Sequence, residues 1–183
     1  MAIATRPLQG AYVADPDHSS VGFTVTHMKV SSFRATFDEI KARFLGEESG
    51  GLLLEGRARV GSVSISNPPE FREHVINGAD FFDAPNHPEI GFRSTSIEFD
   101  EDGTARVEGE LEIKGVSRPV SAIGTYRPPV EDPFGSTRAA LELAATVDRK
   151  DWGLDWQMPL PKGGDVLAYE VELTAHLELI KVG

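Results

Sequence analysis

Tyr169-Glu170-Val171-Glu172-Leu173-Thr174-Ala175-His176-Leu177-Glu178-Leu179 alternates along its whole length. Tyr169, Val171, Leu173, Ala175, Leu177 and Leu179 share one side, and Glu170, Glu172, His176 and Glu178 share the other. Successive side chains of an extended chain point to opposite faces, so the pattern predicts a β-strand with one oily face.

The same period recurs upstream. Val21, Phe23, Val25 and His27 alternate with Ser20, Gly22, Thr24 and Thr26, and Phe33, Ala35 and Phe37 follow. The phase then shifts to Ile40, Ala42 and Phe44, which predicts a β-bulge near Asp38-Glu39. Leu54, Ala58 and Val60 continue the series, Ile90 and Phe92 begin another strand, and Val107, Gly109, Leu111 and Ile113 alternate with Glu108, Glu110, Glu112 and Lys114. Glu101-Asp102-Gly103 reads as a hairpin loop and Lys114-Gly115-Val116 as a sharp bend; Pro128-Pro129 and Asp132-Pro133 mark a longer connection. Long, one-sided antiparallel strands must curl into a barrel or stack as a sandwich.

One helix interrupts the strands near residues 68–77. Asn67 is the expected N-cap, Pro68 the first helical residue and Glu70 the partner in a capping box. Phe71 and Val75 share a face, and Gly78 ends the helix. So short a helix needs a sheet to dock on, and a barrel mouth is the natural place.

The chain has 183 residues, enough for one domain, expected over residues 10–183 with residues 1–9 as a flexible N-terminus. A net charge of -11 argues against nucleic acid and against broad adsorption to anionic lipid. The absence of cysteine excludes disulfides, thiolate metal sites and Cys nucleophiles. There is no apolar run long enough to span a membrane and no visible signal peptide, so a cytoplasmic location is expected. A homodimer is left open.

The inward aromatics Phe23, Phe33, Phe37, Phe44, Phe92 and Tyr169 fit either a filled core or a hollow pocket. Small residues on the same faces (Ala35, Ala42, Ala58, Gly109, Ala175) favour the pocket. Its expected apolar lining is Val21, Phe23, Val25, Phe33, Phe37, Phe44, Phe71 and Phe82, with Phe92, Leu111, Ile113, Trp152, Tyr169, Val171 and Leu173. The five histidines follow no metal-ligand spacing, and no metal or cofactor is expected. Ser19, Ser20, Asp80 and Asp83 lack the GxSxG elbow of a hydrolase, and no catalytic residue is assigned. His27, Arg34, His74 and Arg149 are the candidate contacts for a polar head group, the arginines suiting a phosphate or carboxylate.

The order of several segments resembles the YceI-like family. These are Asp15-Pro16-Asp17-His18-Ser19-Ser20-Val21-Gly22-Phe23 with Thr26-His27-Met28, and Ala79-Asp80-Phe81-Phe82-Asp83 followed by Pro88-Glu89-Ile90-Gly91-Phe92. Leu111-Glu112-Ile113-Lys114-Gly115-Val116-Ser117-Arg118-Pro119-Val120 and Asp148-Arg149-Lys150-Asp151-Trp152-Gly153-Leu154 complete the series. The resemblance implies an eight-stranded, antiparallel, lipocalin-like β-barrel that binds, stores or carries a long isoprenoid, an isoprenoid quinone or a similar amphiphile. Two departures stand out: Ala35 where the family often has glycine, and a longer exit from the helix between His74 and Asp80. Two other readings compete with the carrier, namely a cyclase or isomerase acting on an apolar molecule in the same pocket, and a barrel with a filled core.

Overall fold

A computed structural model describes residues 8–183. Ten strands form one antiparallel sheet: β1 (Gly10–Ala14), β2 (Ser20–His27), β3 (Ser31–Phe37), β4 (Ile40–Gly46), β5 (Leu52–Arg59), β6 (Glu89–Phe99), β7 (Thr104–Ile113), β8 (Val116–Glu131), β9 (Thr137–Asp148) and β10 (Leu167–Val182). Eight of them close a ring in the order β1-β4-β5-β6-β7-β8-β9-β10, because β1 pairs with both β4 and β10. Closure leaves that ring no free edge.

The β2–β3 hairpin extends the wall. One edge of β10 carries β1 along Leu179–Val182 and β2 along Val171–His176. The break at Asp38-Glu39 is therefore more than a bulge. Chain leaving β3, which pairs with β2, restarts there as β4, which pairs with β1. Asp38 and Glu39 bond instead to Ser62, through its carbonyl (3.0 Å) and its hydroxyl (3.0 Å).

Two expectations need correction. Pro128 and Pro129 lie inside β8, at a register shift between Arg127 and Val130, a place where a strand tolerates residues that cannot donate. Helix α1 runs Pro69–Asn77, with Pro68 as an extended N-cap and no side-chain cap bond from Asn67. The reason is local: Pro69 disfavours helical geometry at the residue before it, which moves the start one position on. Gly78 does close the helix, its N–H donating to His74 O at 2.8 Å.

The inward residues separate into two bodies. At one end Leu8, Phe44, Ala105, Val107, Leu141 and Leu179 have no measurable exposure and pack with Tyr12, Leu54 and Tyr126. Burial pushes the Tyr126 hydroxyl up to about 12. Gly46 is required here, since a Cβ would lie 1.5 Å from Leu8 O. Of the segment expected to be a flexible N-terminus, Leu8 is packed into this core, and residues 1–7 lie outside the described residues. At the other end α1, the 79–84 loop and a 3-10 turn (Arg149–Trp152) cover the barrel.

Candidate ligand-binding site

The covered end is hollow. A cavity of about 320 Å³ opens among β2, β3, β10, α1 and the loops around Phe82 and Trp152. Phe23, Phe33 and Leu173 point inward along their strands yet are only half-buried, because their neighbour on that side is empty space. Their rings lean on one another without filling it: Phe23 lies 6.3 Å from Phe33, 6.0 Å from Phe37 and 6.5 Å from Phe82, and Phe71 meets Phe33 edge-on at 6.2 Å.

The lid is held by backbone-directed bonds. Arg72 of α1 donates to Val63 O, Ile65 O (2.5 Å) and Gly61 O (2.8 Å). The chain leaving α1 folds back on it, with Phe82 N donating to Val75 O (3.2 Å) and Ala84 N to Ile76 O (2.8 Å). Trp152 Nε1 donates to Leu111 O at 3.0 Å, which pins the 3-10 turn to β7.

Most of the expected lining does face this cavity: Val21, Phe23, Val25, Phe33, Phe37 and Phe71, with Phe82, Leu111, Ile113, Trp152, Val171 and Leu173. Three rings do not. Phe44 is buried in the closed-end core, against Phe99. Phe92 lines a deeper cavity of about 150 Å³. Its ring fills the space above Gly109, where a Cβ would lie 2.5 Å from Phe92 Cζ. Tyr169 sits where β10 slips register between Leu167 and Val171, and its ring lies under Arg149 (4.6 Å) and Lys150 (4.3 Å).

Two of the four expected polar contacts line the cavity. His27, at the end of β2, faces Leu167 across the ladder. Arg149 is buried and donates to Ala168 O (2.9 Å), Leu154 O (2.5 Å) and Leu167 O (3.2 Å). Burial pulls its basicity below that of an ordinary guanidinium. Arg34 is exposed on the outer face of β3, where alternation sends its side chain outward. His74 lies outside the cavity, bonded to Asp80 Oδ1 at 2.8 Å and edge-on to Phe81 at 5.1 Å.

Several lining residues lie outside the expected list. Ala58 and Ile90 are part of the alternation read from the sequence but not of the expected lining, and Val147 and Leu167 continue the alternation of their strands and could have been found by extending it. Ile65, Phe81 and Leu154 come from loops without a period. Ser31 and Ser32, at the start of β3, also line it, and Ser31 pairs with His27 in the ladder.

The serines and acids of the rejected triad are engaged elsewhere. Ser19 exchanges bonds with the Glu178 backbone (3.3 and 3.0 Å), and Asp83 accepts from Asn86 (3.0 Å). Among the described residues Asp15, His18 and Glu178 bring ligand-type atoms together, a juxtaposition that spacing did not foretell. Arg138 already occupies that cluster, donating to Asp15 (2.8 Å), Glu178 (2.6 Å) and Asp132 (2.7 Å). It holds the Asp15 carboxyl down at about 2, and Asp15 in turn raises His18.

A family model for the YceI-like domain matches residues 12–179, nearly the whole of this barrel. The chain belongs to the YceI-like family. Relatives of this YceI-like chain include a UPF0312 protein of Pseudomonas putida F1, 27% identical over 97% of this chain and 90% of its own length. A UPF0312 protein of Staphylococcus aureus MSSA476 is 26% identical over 91% and 95%. Among solved structures, Burkholderia cenocepacia BcnA superposes with a TM-score of 0.72 at 20% identity, covering 92% of this chain and 99% of that one. A polyisoprenoid binding domain from Saccharophagus degradans, implicated in plant cell wall breakdown, superposes with a TM-score of 0.66 at 10% identity, covering 96% and 100%. These likenesses share the fold of the YceI-like barrel. No helix among the described residues is long and apolar enough to cross a membrane.

Proposed function

We propose that this YceI-like chain binds and carries a single amphiphilic lipid, an isoprenoid or isoprenoid quinone in type, with its tail inside the covered end of the barrel. The observation that carries this reading is the cavity of about 320 Å³ walled almost wholly by apolar residues, with His27, Ser31, Ser32 and Arg149 as the polar ones. An apolar tail moving from water into that space gains on the order of 0.8 kcal/mol per CH₂. His27 and Arg149 both line the cavity, and Leu167 pairs with His27 in the ladder and accepts from Arg149, so a head group held there has one cation and one imidazole within reach. Three of the five N–H donors of Arg149 go to carbonyls, which leaves two for a phosphate, carboxylate or quinone oxygen. The isoprenoid assignment draws support from the name of the Saccharophagus degradans domain.

Native mass spectrometry of the purified protein, with extraction of whatever dissociates, tests the reading. A co-purified amphiphile, or uptake of a fluorescent fatty acid by the stripped protein, is expected. An interior that takes up no such probe, in protein purified from several hosts, would overturn it. The competing enzyme reading needs a second titratable group beside His27 or Asp80 in the lumen. Asp80 points away from the cavity toward His74, which weakens that reading.

A further inference from the structure

The lumen has two chambers and a floor, and together these act as a length gauge. Val21, Ala58, Ile90, Leu111 and Leu173 line both the larger cavity and the deeper one, a shared belt that forms the boundary, or neck, between them. Below the neck, the deeper chamber of about 150 Å³ is roomy because Ala42, Gly56, Ala122 and Ala175 contribute almost no side chain to it. It ends on Leu54, Leu143 and Leu177, which line the chamber and also belong to the closed-end core. Beyond them Phe44 and Leu141 are wholly buried.

An apolar cavity of about 150 Å³ holds benzene, roughly six carbons. On that scale the 320 Å³ chamber takes about thirteen carbons, and the 150 Å³ chamber takes about six more. Resting on the carrier reading, we infer that the chain selects a single acyl or prenyl tail of about thirteen to nineteen carbons. The packed closed end sets the upper limit, and Leu111 and Leu173 at the neck separate the two regimes. A much longer polyprenyl chain would leave its excess outside the mouth.

The test is displacement of a fluorescent fatty acid by saturated n-alkanoic acids of about 8 to 22 carbons. Affinity is expected to rise about fourfold per CH₂ up to about thirteen carbons, more gently to about nineteen, and no further. Ala175→Leu fills the deeper chamber, so the rise should stop near thirteen carbons while an acid of about ten keeps its affinity. Ala122→Val is the milder form, and the unmodified chain alone shows the break should either variant fail to fold. A steep rise continuing past about twenty carbons overturns the gauge, as does equal weakening of short and long acids by Ala175→Leu. No displacement at any length overturns the carrier reading itself, and the gauge falls with it.

Discussion

The two ends of this barrel obey the same alternation and come out opposite. At the closed end, inward Phe44, Leu141 and Leu179 meet and leave no exposed surface. At the covered end, inward Phe23, Phe33 and Leu173 stay half-buried around a cavity of about 320 Å³. Alternation therefore decides which residues face the lumen, and neighbours across the lumen decide whether it is full. The closed end is plugged by side chains from its own strands, including the stack of Tyr126 on Phe99 at 4.2 Å. The other end is roofed by elements outside the sheet, which cover the space without filling it.

If that contrast is right, the same truncation costs differently at the two ends. Phe44→Ala should destabilise by about 3–5 kcal/mol in a denaturant titration, the usual cost of a ring removed from a packed core. Phe33→Ala, beside space that is already empty, should cost less than about half of that, and should instead weaken probe binding. Equal losses would break the distinction.

The roof should fail more gently. Arg149→Met strips a donor fork from Ala168 O, Leu154 O and Leu167 O, and about 2–3 kcal/mol of stability should go with it. Binding of a carboxylate-headed probe should fall further than binding of an alcohol of equal length. Trp152→Phe keeps an aromatic ring but loses the indole bond to Leu111 O, at about 1 kcal/mol. Differential scanning calorimetry on both variants would rank them.

The smallest effect is expected at the kink where β1 gives way to β2. The Asp15 carboxyl lies below its ordinary value, at about 2, chiefly through Arg138 and then His18. Its contribution is therefore present above the unfolded value near 3.8 and lost as pH falls toward about 2. His18 is raised, chiefly by its bond to Asp15. Its contribution is whole below about 6.5 and lost as pH rises through the elevated folded value. Asp132, Glu178 and Arg138 complete the charged set there. In melting curves across pH, His18→Ala should lower Tm at mildly acidic pH and converge on the unmodified chain in alkali. A constant offset would count against this linkage.

Much of the barrel was legible because its signal is local. The runs 20–27, 104–113 and 167–182 carry their faces in every second residue, and Gly103 and Gly115 mark their turns at positive φ (88° and 72°). What was not legible depends on pairs far apart in the chain. That β1 and β2 share one edge of β10 follows from where Asp38-Glu39 finds its partner, Ser62. The site divides in the same way. Phe23 and Leu173 were readable from parity, whereas Phe44 has the right parity and lies at the wrong end. Tyr169 has the right parity and loses its place to a slip in the ladder. His74 and Arg34 had suitable chemistry, but neither face points inward.

The central claim is that one end is an empty apolar container and the other is solid. A crystal structure with a terminally brominated alkanoic acid of roughly twelve carbons tests it directly through the anomalous signal of bromine. The bromine is expected inside the covered end, within contact of Phe23, Phe82 or Leu173, with the carboxylate toward Arg149. Bromine found only on the outer surface, or among Phe44, Tyr126 and Leu141, would contradict the account.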